Sequence, residues 1–360
     1  MENQMSDELS QRARNVLKTL IREYVRVGRP IGSRRLSKIY SERLSSATLR
    51  NVMSDLEEAG FLSQPHTSAG RVPTKSGYQF YVRSLLSSRS LSAKEIGEIK
   101  KSLEAESDLS DLMSKTSQLL STYSDSIGIV LSPPISQVVM NHIEFIKFSD
   151  GRILVVLVGS AGLVQHRLVK VKEKLTQSDL DQAGRYLVEN FKGSNLMEIR
   201  SGLLKLMREE RTLYDLLLRN VILLGSAAML TSSETGGEES EVYLGGTSKV
   251  IRRLEDSEFD KLKSILQTLE EKNRLVKIIT ECLRVDRSGP TVTVGLEEHI
   301  PGMRNWSLVT SPYIYDRHTT GSLAVLGPSR MEYERAIGLV DCVAGLFGEI
   351  LRGNLSPDAE

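Results

Sequence analysis

Within residues 45–60, Ser46, Ala47, Thr48, Arg50, Asn51 and Ser54 gather small and hydrogen-bonding side chains over about two helical turns. A guanidinium can clamp O6 and N7 of guanine, and a carboxamide can clamp N6 and N7 of adenine. Adjacent Arg50 and Asn51 could therefore tell base pairs apart in a major groove. The same stretch carries Leu49, Val52, Met53 and Leu56 at i, i+3, i+4 and i+7, which predicts one buried stripe on an amphipathic helix. The polar set then projects from the opposite face, near the helix N-terminus, where helix-turn-helix readers touch base edges. Glu57 and Glu58 follow, and acids in a groove would be repelled by phosphate. Only the N-terminal half of this helix is expected to enter the duplex.

The flanks supply the elements that would position such a reader. Upstream, Ala13, Val16, Leu17, Leu20, Ile21, Tyr24 and Val25 form a helical stripe that stops at Gly28, with Pro30 just beyond. Ser33 can cap a short second helix, with Leu36, Ile39 and Tyr40 expected to face inward. Downstream, residues 61–63 read as a strand, and Gln64-Pro65-His66-Thr67-Ser68-Ala69-Gly70-Arg71-Val72-Pro73 reads as a wing. The sum predicts a winged helix-turn-helix over residues 1–83. Arg34, Arg35, His66, Thr67 and Arg71 are then expected along the DNA backbone.

Charge agrees with that placement. Residues 1–86 hold 14 Lys and Arg against 8 Asp and Glu, a balance of +6, while the whole chain balances at +1. Arg29, Arg34, Arg35, Lys38, Arg43 and Arg50 lie close together in sequence. A polyanion docking there releases counterions for each phosphate neutralised, so its binding would be strongly salt-dependent.

Gly32-Ser33-Arg34, Ser46-Ala47-Thr48-Leu49-Arg50-Asn51-Val52-Met53, Gln64 to Thr74 and Gly77-Tyr78-Gln79-Phe80-Tyr81-Val82 together resemble the HrcA heat-inducible transcription repressors. The resemblance returns late, in Ser307-Leu308-Val309-Thr310-Ser311-Pro312-Tyr313 and Gly327-Pro328-Ser329-Arg330-Met331-Glu332-Tyr333. It implies a homodimeric bacterial repressor on an inverted-repeat operator in double-stranded DNA, the CIRCE element, upstream of chaperone operons. It also implies that the chaperonin is a partner that keeps the repressor active and that heat ends repression. The implied body is a GAF-like domain with an inserted dimerising domain.

Residue pattern places a Ser-rich hinge at 84–100, a helix at about 103–123, and strands at 127–131, 138–148, 153–158 and 164–171, with Asp150-Gly151 a hairpin signal. Helical pattern begins near Thr176. Extended runs at 292–295, 307–315 and 321–326 precede a closing helix at 332–351. The expected class is α+β multidomain. The GAF-like domain is assigned to 101–173 and 241–354, the largely helical dimerising insertion to 174–240 and a tail to 355–360. Leu213, Leu217 and Ile222 stand for the dimer interface, because one reader per chain calls for a symmetric pair.

Other chemistry is not encoded in recognisable form. Two cysteines exclude a disulfide scaffold, and five scattered histidines give no metal-ligand spacing, so no metal or cofactor is expected. Neither a P-loop nor a G-x-S-x-G elbow is present, which argues against an enzyme. No apolar run reaches membrane-spanning length, and a cytoplasmic protein without membrane contact is expected. A winged-helix regulator that binds a small molecule in its GAF-like domain is the alternative reading.

Overall fold

The computed structural model describes residues 9–84 except 43 and 68; 91–209 except 107, 134–136, 149–150, 160–163 and 171–174; 240–247; 279; and 289–354 except 301–302 and 316–319. Leu213, Leu217 and Ile222 lie outside the described residues, as do residues 174 and 210–239 of the stretch 174–240 assigned to the inserted domain.

The N-terminal unit runs α1 (Gln11–Val27), α2 (Ser33–Ile39), α3 (Ser46–Glu58), β1 (Leu62–Ser63), β2 (Val72–Pro73) and α4 (Lys75–Arg83). Each helix boundary has a local cause. Ser10 caps α1 by accepting from the Ala13 N–H, and Gly28 ends it at φ 71°, a left-handed conformation that favours glycine. Ser45 caps α3 through the Thr48 N–H. Thr74 caps α4 through the Gly77 N–H, while its hydroxyl donates to the Gly60 carbonyl at 2.6 Å and so joins the end of α3 to the start of α4. Val16, Leu17, Leu20, Ile21, Leu36, Leu49 and Leu56 are fully buried among these helices. Ile39 is not; it is 40% exposed, whereas Leu36 and Tyr40, one turn apart, take the inward positions of α2.

Helices α5 (Ala93–Glu104) and α6 (Leu109–Ser124) come next. The expected hinge at 84–100 is therefore corrected: Ser92 and Glu95 form a reciprocal capping box that starts α5 at Ala93. Glu95 also pairs with Arg335 at 2.8 Å, which fastens α5 to the closing helix α9 (Tyr333–Asn354). The single helix expected at 103–123 is two helices, because Asp108 accepts from the Ser110 and Asp111 N–H groups and starts α6 afresh.

An antiparallel five-stranded sheet lies beyond, in the order β7 (Val242–Gly245), β3 (Ile127–Leu131), β10 (Thr320–Pro328), β9 (Trp306–Ile314), β8 (Thr291–Val294). Its strands alternate. Val130, Val309, Leu323 and Val325 share a core with α6 and α9, while Ile129, Leu308, Ala324 and Leu326 share a second core with Leu296, Ile300 and Met303 on the other face.

Strands β4 (Met140–Lys147), β5 (Arg152–Gly159) and β6 (Val164–Lys170) form a separate three-stranded antiparallel sheet. Its core combines Ile143, Phe145, Val155 and Leu157 with residues of α7 (Gln177–Phe191) and α8 (Leu196–Glu209), such as Leu180, Leu187 and Leu203. This corrects the grouping of these strands with 127–131. Among the described residues, the core of β4–β6 is shared with α7 and α8 and not with the five-stranded sheet. The class is mixed, with helices against antiparallel sheets, as expected of an α+β chain.

The N-terminal unit and the five-stranded sheet are not joined by a slack tether among the described residues. Tyr78 of α4 packs on Tyr333 of α9 with ring centroids 5.8 Å apart, and Arg22 reaches Glu334 at 2.8 Å. Tyr333 in turn donates to the Ser329 carbonyl and shares a 2.8 Å hydrogen bond with the Ser307 hydroxyl. The early segment 77–82 and the two late segments 307–313 and 327–333 thus meet at one contact.

Candidate nucleic-acid interface

Burial of Leu49, Met53 and Leu56 fixes the rotation of α3, so Ala47, Arg50 and Asn51 are exposed and Ser46, Thr48 and Ser54 are half-buried beside them. The Ser45 hydroxyl accepts from the Thr48 N–H at 3.1 Å and lies 2.9 Å from the Thr48 hydroxyl. That cap holds the first turn of α3, and a helix start favours anions.

Cations around α3 divide into two kinds. Arg34, Lys38 and Arg50 are exposed and have no hydrogen-bond or ionic partner among the described residues, and the Asn51 carboxamide is equally unengaged. Arg35 and Arg71 are engaged. Arg35 donates to Glu23 from Nε at 2.7 Å and Nη2 at 2.6 Å, and Arg26 forks onto the same carboxylate. Hydrogen bonds from Arg26, then from Arg35, hold the Glu23 carboxyl below its ordinary range against the opposing effect of burial. Arg71 Nη2 meets Glu57 at 2.7 Å, and its Nε is buried without a hydrogen-bond partner among the described residues. Arg43 lies outside the described residues.

The loop between β1 and β2 is closed by Gln64, whose carboxamide N–H donates to the Thr67 and Ala69 carbonyls at 2.8 and 3.0 Å. His66 and Thr67 are exposed at its tip. At its base, Arg71 and Ile31 exchange both backbone hydrogen bonds at 2.9 Å, which adds the α1–α2 connection to the ribbon. The arrangement therefore offers a polar helix start with free Arg and Asn, two free cations on α2 and an exposed loop tip. The described residues contain no group of His, Cys, Asp and Glu able to hold a metal, and no helix among them is long and apolar enough to cross a membrane.

Glu23 and Glu57 escaped the sequence reading as structural partners. Glu23 had a signal: it falls three residues after Leu20 on the apolar stripe of α1, where a carboxylate must find a cation. Glu57 had none, because its partner is brought near only when the ribbon folds back.

Comparison with known proteins covers both halves of this architecture. The model of the HrcA protein C terminal domain matches residues 110–337. The heat-inducible transcription repressor HrcA of Geobacter sulfurreducens is 37% identical over 96% of this chain and 99% of its own, and that of Syntrophobacter fumaroxidans is 36% identical over 96% and 98%. Among solved structures, the crystal structure of a hypothetical protein at 2.2 Å resolution superposes with a TM-score of 0.59, at 20% identity, over 96% of this chain and all of that one, a likeness of fold. By the family model and by relatives matched along nearly their full length, this chain belongs to the HrcA family.

Proposed function

We propose that the chain is a sequence-specific transcriptional repressor of heat-shock genes. In this reading α1 to α4 with the β1–β2 ribbon form a winged helix-turn-helix. Ala47, Thr48, Arg50 and Asn51 address base edges from α3, with Ser46 and Ser54 at the margin of that face. Arg34 and Lys38 lie on phosphates, and the wing tip, His66 and Thr67, follows the backbone. The observation that carries the proposal is the exposure of an unengaged Arg50 and Asn51 on the first turns of α3, with their helix locked in rotation by three buried residues. Glu57 is held by Arg71 at 2.7 Å.

The remaining parts of the reading follow from the family. A homodimer would present two readers to an inverted repeat, the CIRCE element, upstream of chaperone operons. Repression would end on heat shock, with the chaperonin maintaining activity. The five-stranded body would be the GAF-like domain, and the three-stranded sheet with α7 and α8 would belong to the dimerising insertion. The protein would act in the cytoplasm, on the nucleoid when bound. Footprinting of the full chain across its own genome, with and without chaperonin and at raised temperature, tests this. Protection of inverted repeats before chaperone operons, lost on heating and restored by chaperonin, is expected. Uniform protection without preferred sites would refute it.

A further inference from the structure

The geometry points to Glu57 and Arg71 as a positioning pair that fixes the wing against the reader helix, and not to Arg71 as a phosphate ligand. This role presupposes the duplex-reading function proposed above. Arg71 touches three parts of the reader unit at once. Its backbone is bridged in both directions to Ile31, before α2. Its neighbours Val72 and Pro73 form β2 and pair with β1. Its guanidinium crosses to Glu57 in the last turn of α3. The side chain is 19% exposed and its Nε is buried, unlike Arg34, Lys38 and Arg50, whose side chains stand in solvent.

The consequence is geometric. The base of the wing is held to the C-terminal end of α3, and Gln64 closes the loop above it, so the span from Arg50 and Asn51 to His66 and Thr67 is set before DNA arrives. A groove-bound helix and a backbone-following loop engage one duplex together only if that span is fixed, and preorganisation lowers the ordering cost of binding. It also explains why an acid is tolerated so near a polyanion. A lone carboxylate there would only repel phosphate, whereas Glu57 holds a cation.

Opposite signs make this testable in the full chain. Glu57→Gln removes a negative charge beside DNA, yet the pair predicts operator binding weakened about tenfold, a typical coupling for contacting groups. Arg71→Gln should weaken it to the same degree, and the double variant no further. Arg71→Lys, which keeps a cation for Glu57, should recover most of the loss. The slope of log affinity against log salt should stay as in the parent for every variant, whereas loss of a phosphate contact lowers it by about 1. In the free protein, amide exchange over residues 62–73 should quicken in both Gln variants. Glu57→Gln binding as tightly as the parent or tighter, or a slope reduced by about 1 in Arg71→Gln, overturns the proposal. So does unchanged exchange in 62–73. If the parent itself shows no preference for operator over random duplex, the duplex-reading function fails, while the exchange measurement still decides the pairing.

Discussion

Arg35 places two N–H donors on one oxygen of Glu23, at 2.7 and 2.6 Å, and this contact ties α2 to α1 beneath the face that carries Arg34 and Lys38. Glu23 is almost fully buried, and a buried carboxylate that loses a partner is costly. Arg26 remains to satisfy part of it, which moderates the loss. Arg35→Ala is expected to destabilise the chain by about 1 to 2 kcal/mol, while Arg34→Ala, an exposed change on the next residue, moves stability by less than about 0.5 kcal/mol. Chemical denaturation of the two variants checks the contrast.

Arg34→Ala should announce itself in binding. Loss of one phosphate contact weakens operator and random duplex alike and lowers the salt slope by about 1. Arg35→Ala should weaken binding with no proportionate change in slope, because its guanidinium is already committed to Glu23. Titrations at several salt concentrations separate the two roles.

Acid should erode the fold in a defined window. Backbone and hydroxyl hydrogen bonds from Ser92, with Arg335 beside them, bring the Glu95 carboxyl from 4.5 down to about 2. Glu23 is lowered by Arg26 and Arg35. A carboxyl depressed in the folded state contributes stability that is complete above its unfolded value and lost as pH falls through the folded one. Stability measured against pH should therefore fall from about 4.5 towards 2, while between about pH 6 and 8 the contribution of these two groups is complete and constant. Glu95→Gln should flatten part of that fall.

Gly70 is required by space. A Cβ there would overlap the Ile31 backbone and come within 2.7 Å of Gly32 N, where no flexible side chain can yield. Gly70→Ala is expected to break the Ile31–Arg71 bridge, cost about 1 to 3 kcal/mol, and expose residues 62–73 to faster amide exchange. A variant with parent-like stability and exchange would show that the bridge does not hold the β1–β2 segment.

Helix α3 was legible because its signal is local. Leu49, Val52, Met53 and Leu56 repeat at the helical period, and the three that are buried fix which polar residues face out. The hairpin around Gly151 was legible for the same reason: β4 and β5 pair antiparallel across it, and Gly151 takes φ 79°. What could not be read were choices made at a distance. Nothing in 138–171 distinguishes a strand that pairs with 127–131 from one that pairs within its own sheet, since both need the same alternation. Val242–Gly245, which completes the five-stranded sheet beside β3, was missed because four residues carry too little pattern. The partners of Arg35 and Arg71, Glu23 and Glu57, could not be read because charge alone does not reveal a partner 12 or 14 residues away.

The central claim, that the first turns of α3 read base edges, is tested most directly by how far Arg50→Ala and Asn51→Ala reduce discrimination between operator and single-base operator variants at fixed salt. Each variant should lose about 1 to 3 kcal/mol on the parent operator and become indifferent to one base pair, a different pair for each, while random-duplex binding changes little. Unaltered discrimination at every position in both variants would contradict the account.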